Sequence, residues 1–392
     1  MALVRVTYLM RCLGMMRGGG ETQHLAWMRA LKARGVDIDV ITGRPLFGTE
    51  VYPPEPDLDT FTVRSPYMRD FVYRVQSVRG FGRVSMWSLH ADEEIFCKLA
   101  FRHIAASAKQ PDLVLAHALH QAPRFGTGAW PIAVYLPGAP HPRYVPCLQK
   151  ADALISDGWA AKQLPGMIGR PVDDVTKGVD TNLFRPEGNN WRALNGLEGA
   201  RVVLCVTRLV PIKNLPMLLA AIAIARRADS RVHLVIVGEG PLQEELEQRA
   251  MQLDIHGAVR FAGYVPQAAT ADWYRTADVF ALSSDFDNSP NVVLEAMASG
   301  LPVVATDVGG LRDYVTPPEN GLLTPNGDAS AFAAALLSVL SDADRARAIG
   351  RHNRTTALRR FSWAASADQL LSVYERVIED FADRRKRWSA AS

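Results

Sequence analysis

The stretch Ser283–Gly310, SSDFDNSPNVVLEAMASGLPVVATDVGG, decides how the rest of the chain is read. It sets two carboxylates, Asp287 and Glu295, around the start of a predicted helix. Ser289 is the expected N-cap and Pro290 the expected first helical residue, because Ser caps well and Pro lacks the N–H that the first turn leaves unpaired. A proline also pushes the residue before it out of helical geometry, which makes the turn into the helix sharp. The N–H groups of Asn291 and Val292 then point out of the positive helix end, an arrangement suited to phosphate. Asp287 on the loop and Glu295 in the helix would reach opposite ends of one ligand, a polyol on each side of that phosphate. Sugar, diphosphate, ribose is the layout of a nucleotide-sugar. An isolated pair of acids at this spacing would read as a turn residue and a surface charge. Glu295, however, lies inside VVLEAMA, where an ionised group is costly without a partner or ligand.

The chain around this stretch is long enough for two domains: 392 residues, 48% of them hydrophobic. With 44 Lys/Arg against 41 Asp/Glu, the net charge of +3 argues against a dedicated nucleic-acid binder. Cys12, Cys97, Cys147 and Cys205 are scattered without C-x-x-C spacing and read as reduced thiols, which points to a cytoplasmic location. VRVTYLM (Val4 to Met10) is too short for a secretory core, and no run is long and apolar enough for a transmembrane helix.

Strand-like runs alternate with helical patterns. In the first half they are VRVTYLM, VDIDVIT (Val36 to Thr42), DLVLAHA (Asp112 to Ala118), PIAVYLPG (Pro131 to Gly138) and ADALISDG (Ala151 to Gly158), with a helix over 22–33. The stretch from Pro45 to Phe81 reads as irregular. The pattern breaks around KGVDTNLFRPEG (Lys177 to Gly188) and resumes at RVVLCVTR (Arg201 to Arg208). Strands HLVIVG, VRFAG, DVFALSS and LPVVAT follow, interleaved with helices. The expectation is α/β: two doubly wound, Rossmann-like domains, 1–185 and 186–360, with a tail over 361–392. In such sheets ligands sit at the carboxyl ends of the strands.

DNSPNVVLEAMASGLPVVA (Asp287 to Ala305) resembles the E-x7-E signature of the retaining GT-B glycosyltransferases of glycosyltransferase family four. Asp287 stands where Glu is usual. VTRLVPIKN matches the family's G-R-L-x-x-x-K motif, with Thr207 in place of the Gly. The resemblance implies a GT-B fold with the two domains facing a cleft, and a last helix (Phe361 to Phe381) that crosses back onto the first domain. It implies transfer of a hexose-type sugar, with retention, from a nucleotide diphosphate sugar to a hydroxyl acceptor such as a glycolipid, a polysaccharide precursor or a small molecule. UDP-sugars are favoured and GDP-mannose comes next. No metal and no cofactor are implied.

Site residues follow from the same motifs. Arg208 and Lys213 would neutralise the diphosphate, Arg as a bidentate fork and Lys as a point charge. Asp287 would hold sugar hydroxyls, and Arg208, Lys213 and Asp287 together would carry catalysis. Glu295 would hold the ribose, while Asn291, Val292 and the backbone near Val265, in VRFAGYV, would complete the donor site. Gly18 and Gly19 in GGGE resemble the family's glycine turn in the first domain. GGLRD (Gly309 to Asp313) reads as structural.

Relatives often carry a histidine where Pro137 stands, so His141 and His117 are the candidates for the sugar or acceptor side, with His120 an alternative. Residues 1–180 hold 21 Lys/Arg against 17 Asp/Glu, and the run from Arg64 to Trp87 interleaves Arg with aromatics. That surplus, with RRKRW (Arg384 to Trp388), is read either as solvated surface or as a weak peripheral contact at the inner face of the membrane. Two other classes stay open: a GT-B sugar epimerase and a non-catalytic nucleotide-sugar-binding scaffold.

Overall fold

Short apolar runs that alternate with amphipathic helices make parallel sheets covered on both faces. The computed structural model, which describes residues 4–13, 19–45, 55–65, 82–126 and 128–391, holds two of them. The chain divides into two compact units, Met1–Val175 with Ala367–Ser392, and Thr176–Ser366. The break in the sequence pattern at KGVDTNLFRPEG therefore lies just inside the second unit.

The first unit runs β1 (Arg5–Met10), α1 (Gly19–Lys32), β2 (Asp37–Pro45), β3 (Asp59–Ser65), α2 (Gly82–Ala106), β4 (Leu113–His117), β5 (Ile132–Tyr135), α3 (Val145–Leu148), β6 (Ala153–Ser156), α4 (Gly158–Ile168) and β7 (Asp173–Asp174). Its strands lie in the order β3-β2-β1-β4-β5-β6-β7, all parallel. Two elements depart from expectation. β3 occupies part of the stretch read as irregular, and α2, a 25-residue helix, begins just beyond it.

The second unit runs β8 (Arg201–Val206), α5 (Leu215–Ala228), β9 (Val232–Val237), α6 (Gln243–Gln252), β10 (Val259–Gly263), α7 (Gln267–Thr276), β11 (Val279–Leu282), α8 (Asn291–Ala298), β12 (Val303–Thr306), β13 (Gly321–Thr324), α9 (Ala329–Leu340) and α10 (Ala343–Arg360). Its order, β10-β9-β8-β11-β12-β13, is again parallel throughout. Along β8, Val202 and Leu204 join one apolar cluster while Val203 and Cys205 join another on the opposite face. That two-sided burial is why the strand is written as an unbroken apolar run, each such side chain contributing roughly 1.5–3 kcal/mol.

The last helix, α11 (Trp363–Ala391), belongs to the first unit from Ala367 onward. The Tyr374 and Tyr8 hydroxyls share a buried hydrogen bond of 2.8 Å, and one guanidinium nitrogen of Arg376 donates to both oxygens of Asp173 at 2.7 Å. Arg34 pairs with Asp368 and Arg384 with Asp152. Among the described residues no helix is long and apolar enough to cross a membrane.

Candidate functional site

In a doubly wound sheet a crevice opens where the strand order reverses, outside the carboxyl ends of the strands. In the second unit that reversal falls between β8 and β11, and the loops after these two strands carry Arg208, Lys213 and Asp287. A pocket of about 630 Å³ opens there. Its lining includes all three, with Val265, Asn291 and Val292, so the structure brings together most of the residues the motifs singled out.

The helix end is built differently from expectation. Pro290, not Ser289, is the N-cap of α8, and no side chain caps it. The Ser289 hydroxyl is engaged elsewhere, with the Tyr314 hydroxyl. A tertiary partner thus takes the oxygen that a local cap would have used. The consequence favours a ligand: no hydrogen bond from the N–H groups of Asn291 or Val292 is made among the described residues. Asn291 also has its side-chain oxygen buried without a partner. Unpaired polar groups at a pocket wall carry a desolvation cost that a bound ligand relieves.

The cations are not equivalent. Arg208 is exposed, and its side chain makes no hydrogen bond or ion pair among the described residues. Lys213 instead sits in a half-buried ion pair, its Nζ donating to Asp287 at 2.8 Å and 3.0 Å. The two residues expected to serve the phosphate and the sugar separately therefore hold one another. Their loops are stitched together as well: Ser283 Oγ donates to the Lys213 carbonyl at 2.9 Å, and the Asp285 N–H to the Ile212 carbonyl at 2.8 Å.

Glu295 lies behind the pocket wall and is not part of its lining. The Tyr274 hydroxyl donates to its Oε2 at 2.8 Å. Burial raises the Glu295 carboxyl to about 7, against the hydrogen bonds from Tyr274 and Gln267, which lower it. The residue as a whole keeps some exposure, so the enclosure concerns its carboxyl end.

Other lining residues come from VGEGPLQEELE (Val237 to Glu247), whose glycines the sequence reading turns toward the cleft, from VRFAGYV, and from Lys177, which that reading gives no role at the site. Lys177 donates to the Ser289 carbonyl at 3.4 Å, Glu239 follows β9, and Tyr264 stands 71% exposed after β10. Gly238 explains how the β9 turn reaches the site: its φ is +133°, and a Cβ there would stand 1.9 Å from the Thr207 carbonyl oxygen.

The first-unit candidates stand as follows. Gly19 opens α1, while Gly18 and the run from Tyr67 to Phe81 lie outside the described residues. His117, at the end of β4, packs its ring 4.3 Å from His24 and 5.6 Å from Tyr135. His120 lies 3.6 Å from Glu93, with its ring stacked on Tyr144. His141 is exposed, and its Nδ1 accepts from the Arg143 N–H at 3.3 Å, capping a short 3₁₀ turn. Among the described residues no three His, Cys, Asp or Glu side chains gather as a metal set.

Comparison with known proteins places this geometry. The chain is 35% identical over 244 residues to a D-inositol 3-phosphate glycosyltransferase of Thermobispora bispora, covering 58% of this chain and 57% of that protein. It is 33% identical over 212 residues to a GDP-mannose-dependent alpha-(1-6)-phosphatidylinositol monomannoside mannosyltransferase of Mycolicibacterium smegmatis, covering 52% and 56%. The matches thus span little more than half the length of these relatives. Among solved structures, a sucrose-phosphate synthase from Thermosynechococcus elongatus is similar with a TM-score of 0.75 at 21% identity, over 96% of this chain and all of that one. Anabaena HepE in complex with UDP is similar with a TM-score of 0.73 at 18% identity, over 95% of this chain and all of that one. The fold is the GT-B fold of such enzymes. Residues 200–342 match the family described as Glycosyl transferases group 1, and this part of the chain, which carries the pocket's Arg208, Lys213 and Asp287, is a domain of that family.

Proposed function

We propose that this chain is a retaining glycosyltransferase that moves a hexose-type sugar from a nucleotide diphosphate sugar to a hydroxyl acceptor. The observation that carries the reading is the pocket wall itself. Unpaired N–H groups of Asn291 and Val292, the exposed Arg208 and the Lys213–Asp287 pair converge on one cavity of about 630 Å³. Donors aimed at a developing anion stabilise a departing diphosphate most where charge builds up. Arg208 and the helix end meet the phosphates. Lys213 exchanges its carboxylate for a phosphate oxygen as the donor enters, and Asp287, so released, holds sugar hydroxyls. Glu295 secures the ribose from behind the wall, and the backbone near Val265 meets the base. The cations and the helix end supply the charge stabilisation that a metal supplies elsewhere, so chelator leaves transfer intact in this reading.

A UDP-sugar is the favoured donor and GDP-mannose the next, in keeping with the UDP bound by one structural neighbour and the GDP-mannose used by one relative. The acceptor is drawn from glycolipids, polysaccharide precursors and small polyols. A role on the acceptor side for Gly18, Gly19, His117 or His141 belongs to the same proposal, as does weak contact with the inner face of a membrane.

Thermal-shift screening of UDP, GDP, UDP-glucose and GDP-mannose tests the reading, because a ligand that binds only the folded state stabilises it by mass action. One nucleotide-sugar should stabilise the chain and be slowly hydrolysed without acceptor. Binding without any turnover would favour a scaffold, and recovery of an epimerised donor would favour an epimerase.

A further inference from the structure

Asp287 is held from both ends. Its carboxylate is gripped by Lys213. Its carbonyl is met by the 3₁₀ turn Gly309–Asp313, which follows β12: the Gly310 N–H donates to that carbonyl at 2.9 Å. Gly309 itself has a φ of +51°, the left-handed region. A Cβ on Gly309 would stand 2.0 Å from the Asp287 carbonyl oxygen and 3.1 Å from the carbonyl carbon. Those atoms are main chain, so they cannot swing aside as the end of a long side chain would. Any side chain at position 309 must move the Asp287 backbone or the turn.

The identity of the acid makes this matter. Asp has one fewer rotatable bond than Glu, so a displaced backbone passes to its carboxylate with little torsional freedom to absorb it. The main chain that carries its partner is held as well, since the Lys213 carbonyl accepts from Ser283 Oγ. We propose that Gly309 is a positioning residue for Asp287: its missing side chain sets where the carboxylate stands in the pocket, and so governs the sugar end of the donor rather than the nucleotide end. The inference rests on the functional reading above.

The test uses the full chain with UDP, GDP, UDP-glucose and GDP-mannose as probes, reading thermal shift and donor hydrolysis. Gly309→Ala should keep the shift given by the nucleoside diphosphate to within about twofold in affinity, as expected when only the sugar end is disturbed. It should lose the additional shift given by the sugar-bearing donor, and hydrolysis should fall about a hundredfold, the effect of misplacing a reacting group by about 1 Å. Gly327→Ala is the matched control: φ is +77° there, but nothing lies within 4 Å of its Cβ, so it carries backbone strain without a clash. It should hydrolyse donor as the wild type does.

The decisive readout is a double-mutant cycle. Added to Asp287→Asn, Gly309→Ala should slow hydrolysis no further if it acts through Asp287, whereas a general structural lesion would add its full effect and overturn the proposal. If Gly309→Ala does not fold, Gly310→Pro at the second position of the 3₁₀ turn removes the N–H that holds the carbonyl. It enters the same cycle with the same expectations. A wild type that none of the four probes stabilises overturns the functional reading and this inference with it. A wild type that binds and hydrolyses donor, matched by Gly309→Ala, overturns the inference alone.

Discussion

At the reversal between β8 and β11 the second unit turns charged and unpaired groups toward a cavity: Arg208, the Lys213–Asp287 pair and the bare end of α8. At the corresponding reversal between β1 and β4 the first unit packs its polar groups against one another. Arg11 is paired with the buried Asp92 at 2.9 Å, and the His117 ring lies among those of His24 and Tyr135. Asp157 accepts from the Tyr135 hydroxyl and, at 3.4 Å, from Gln23. Apart from the extra edge strand β7 the two sheets share one strand order, so topology supplies a crevice in each, and side chains decide what each crevice presents.

The contrast is broken most severely at the cations. Arg208→Ala or Lys213→Ala should lower turnover by orders of magnitude, about 2–4 kcal/mol at the transition state. Lys213→Ala should also change donor preference, because it leaves Asp287 without its partner. Near-wild-type kinetics in both variants would remove the phosphate clamp. Asp287→Asn should spare nucleoside diphosphate affinity while cutting turnover, whereas Glu295→Gln should weaken nucleoside diphosphate and donor alike.

Glu295 yields a second effect of similar size, on stability. Its folded carboxyl titrates at about 7 and its ordinary value is 4.5. Between those values the unfolded chain has released the proton that the folded chain retains. Stability therefore falls as pH rises from about 4.5 to about 7 and levels above that, by up to roughly 3 kcal/mol in total. Glu295→Gln cannot titrate and should flatten that part of the profile. Parallel unfolding curves for wild type and variant across this window would show that Glu295 is not the group responsible.

The parts of the molecule legible in the sequence are those where local pattern and tertiary demand agree. β8, β9 and β11 are short apolar runs because both faces of the sheet are covered, and each reads as a strand at once. α2 hides because its buried face includes Ser88, Asp92 and Glu93 among Phe96, Cys97 and Ala100, which blurs the helical period of apolar residues. β3 is an edge strand with Phe61 43% exposed, and β13 is an edge strand with Leu322 and Leu323 only partly buried, so neither reads as a run covered on both faces. At the site, the motif residues were legible but their pairing was not. Lys213 and Asp287 lie 74 positions apart, and nothing along the chain says that they meet. Ser289 has the right chemistry for a cap and loses that role to Tyr314, a partner that only the fold supplies.

Two smaller effects sharpen the comparison from the first-unit side. Tyr374→Phe should leave the Tyr8 hydroxyl buried without its partner at a cost of about 1–3 kcal/mol, and Tyr8→Phe combined with it should restore much of that loss. Denaturant unfolding of the single and double variants reads this directly. Equal destabilisation by the single and the double change would mean that the hydroxyl pair is not what pins α11.

His141→Ala should have the smallest effect. Its ring is exposed and caps a three-residue 3₁₀ turn, so stability should change by about 1 kcal/mol or less. The shift given by nucleoside diphosphate should not change, because every residue that lines the pocket belongs to the second unit. Turnover with an acceptor is where His141 can still act, for a group on the acceptor side alters the chemical step without touching the nucleotide. A fall in turnover with an unchanged nucleotide shift would place His141 on the acceptor side, and a loss of the nucleotide shift itself would show that the donor site extends beyond the second unit.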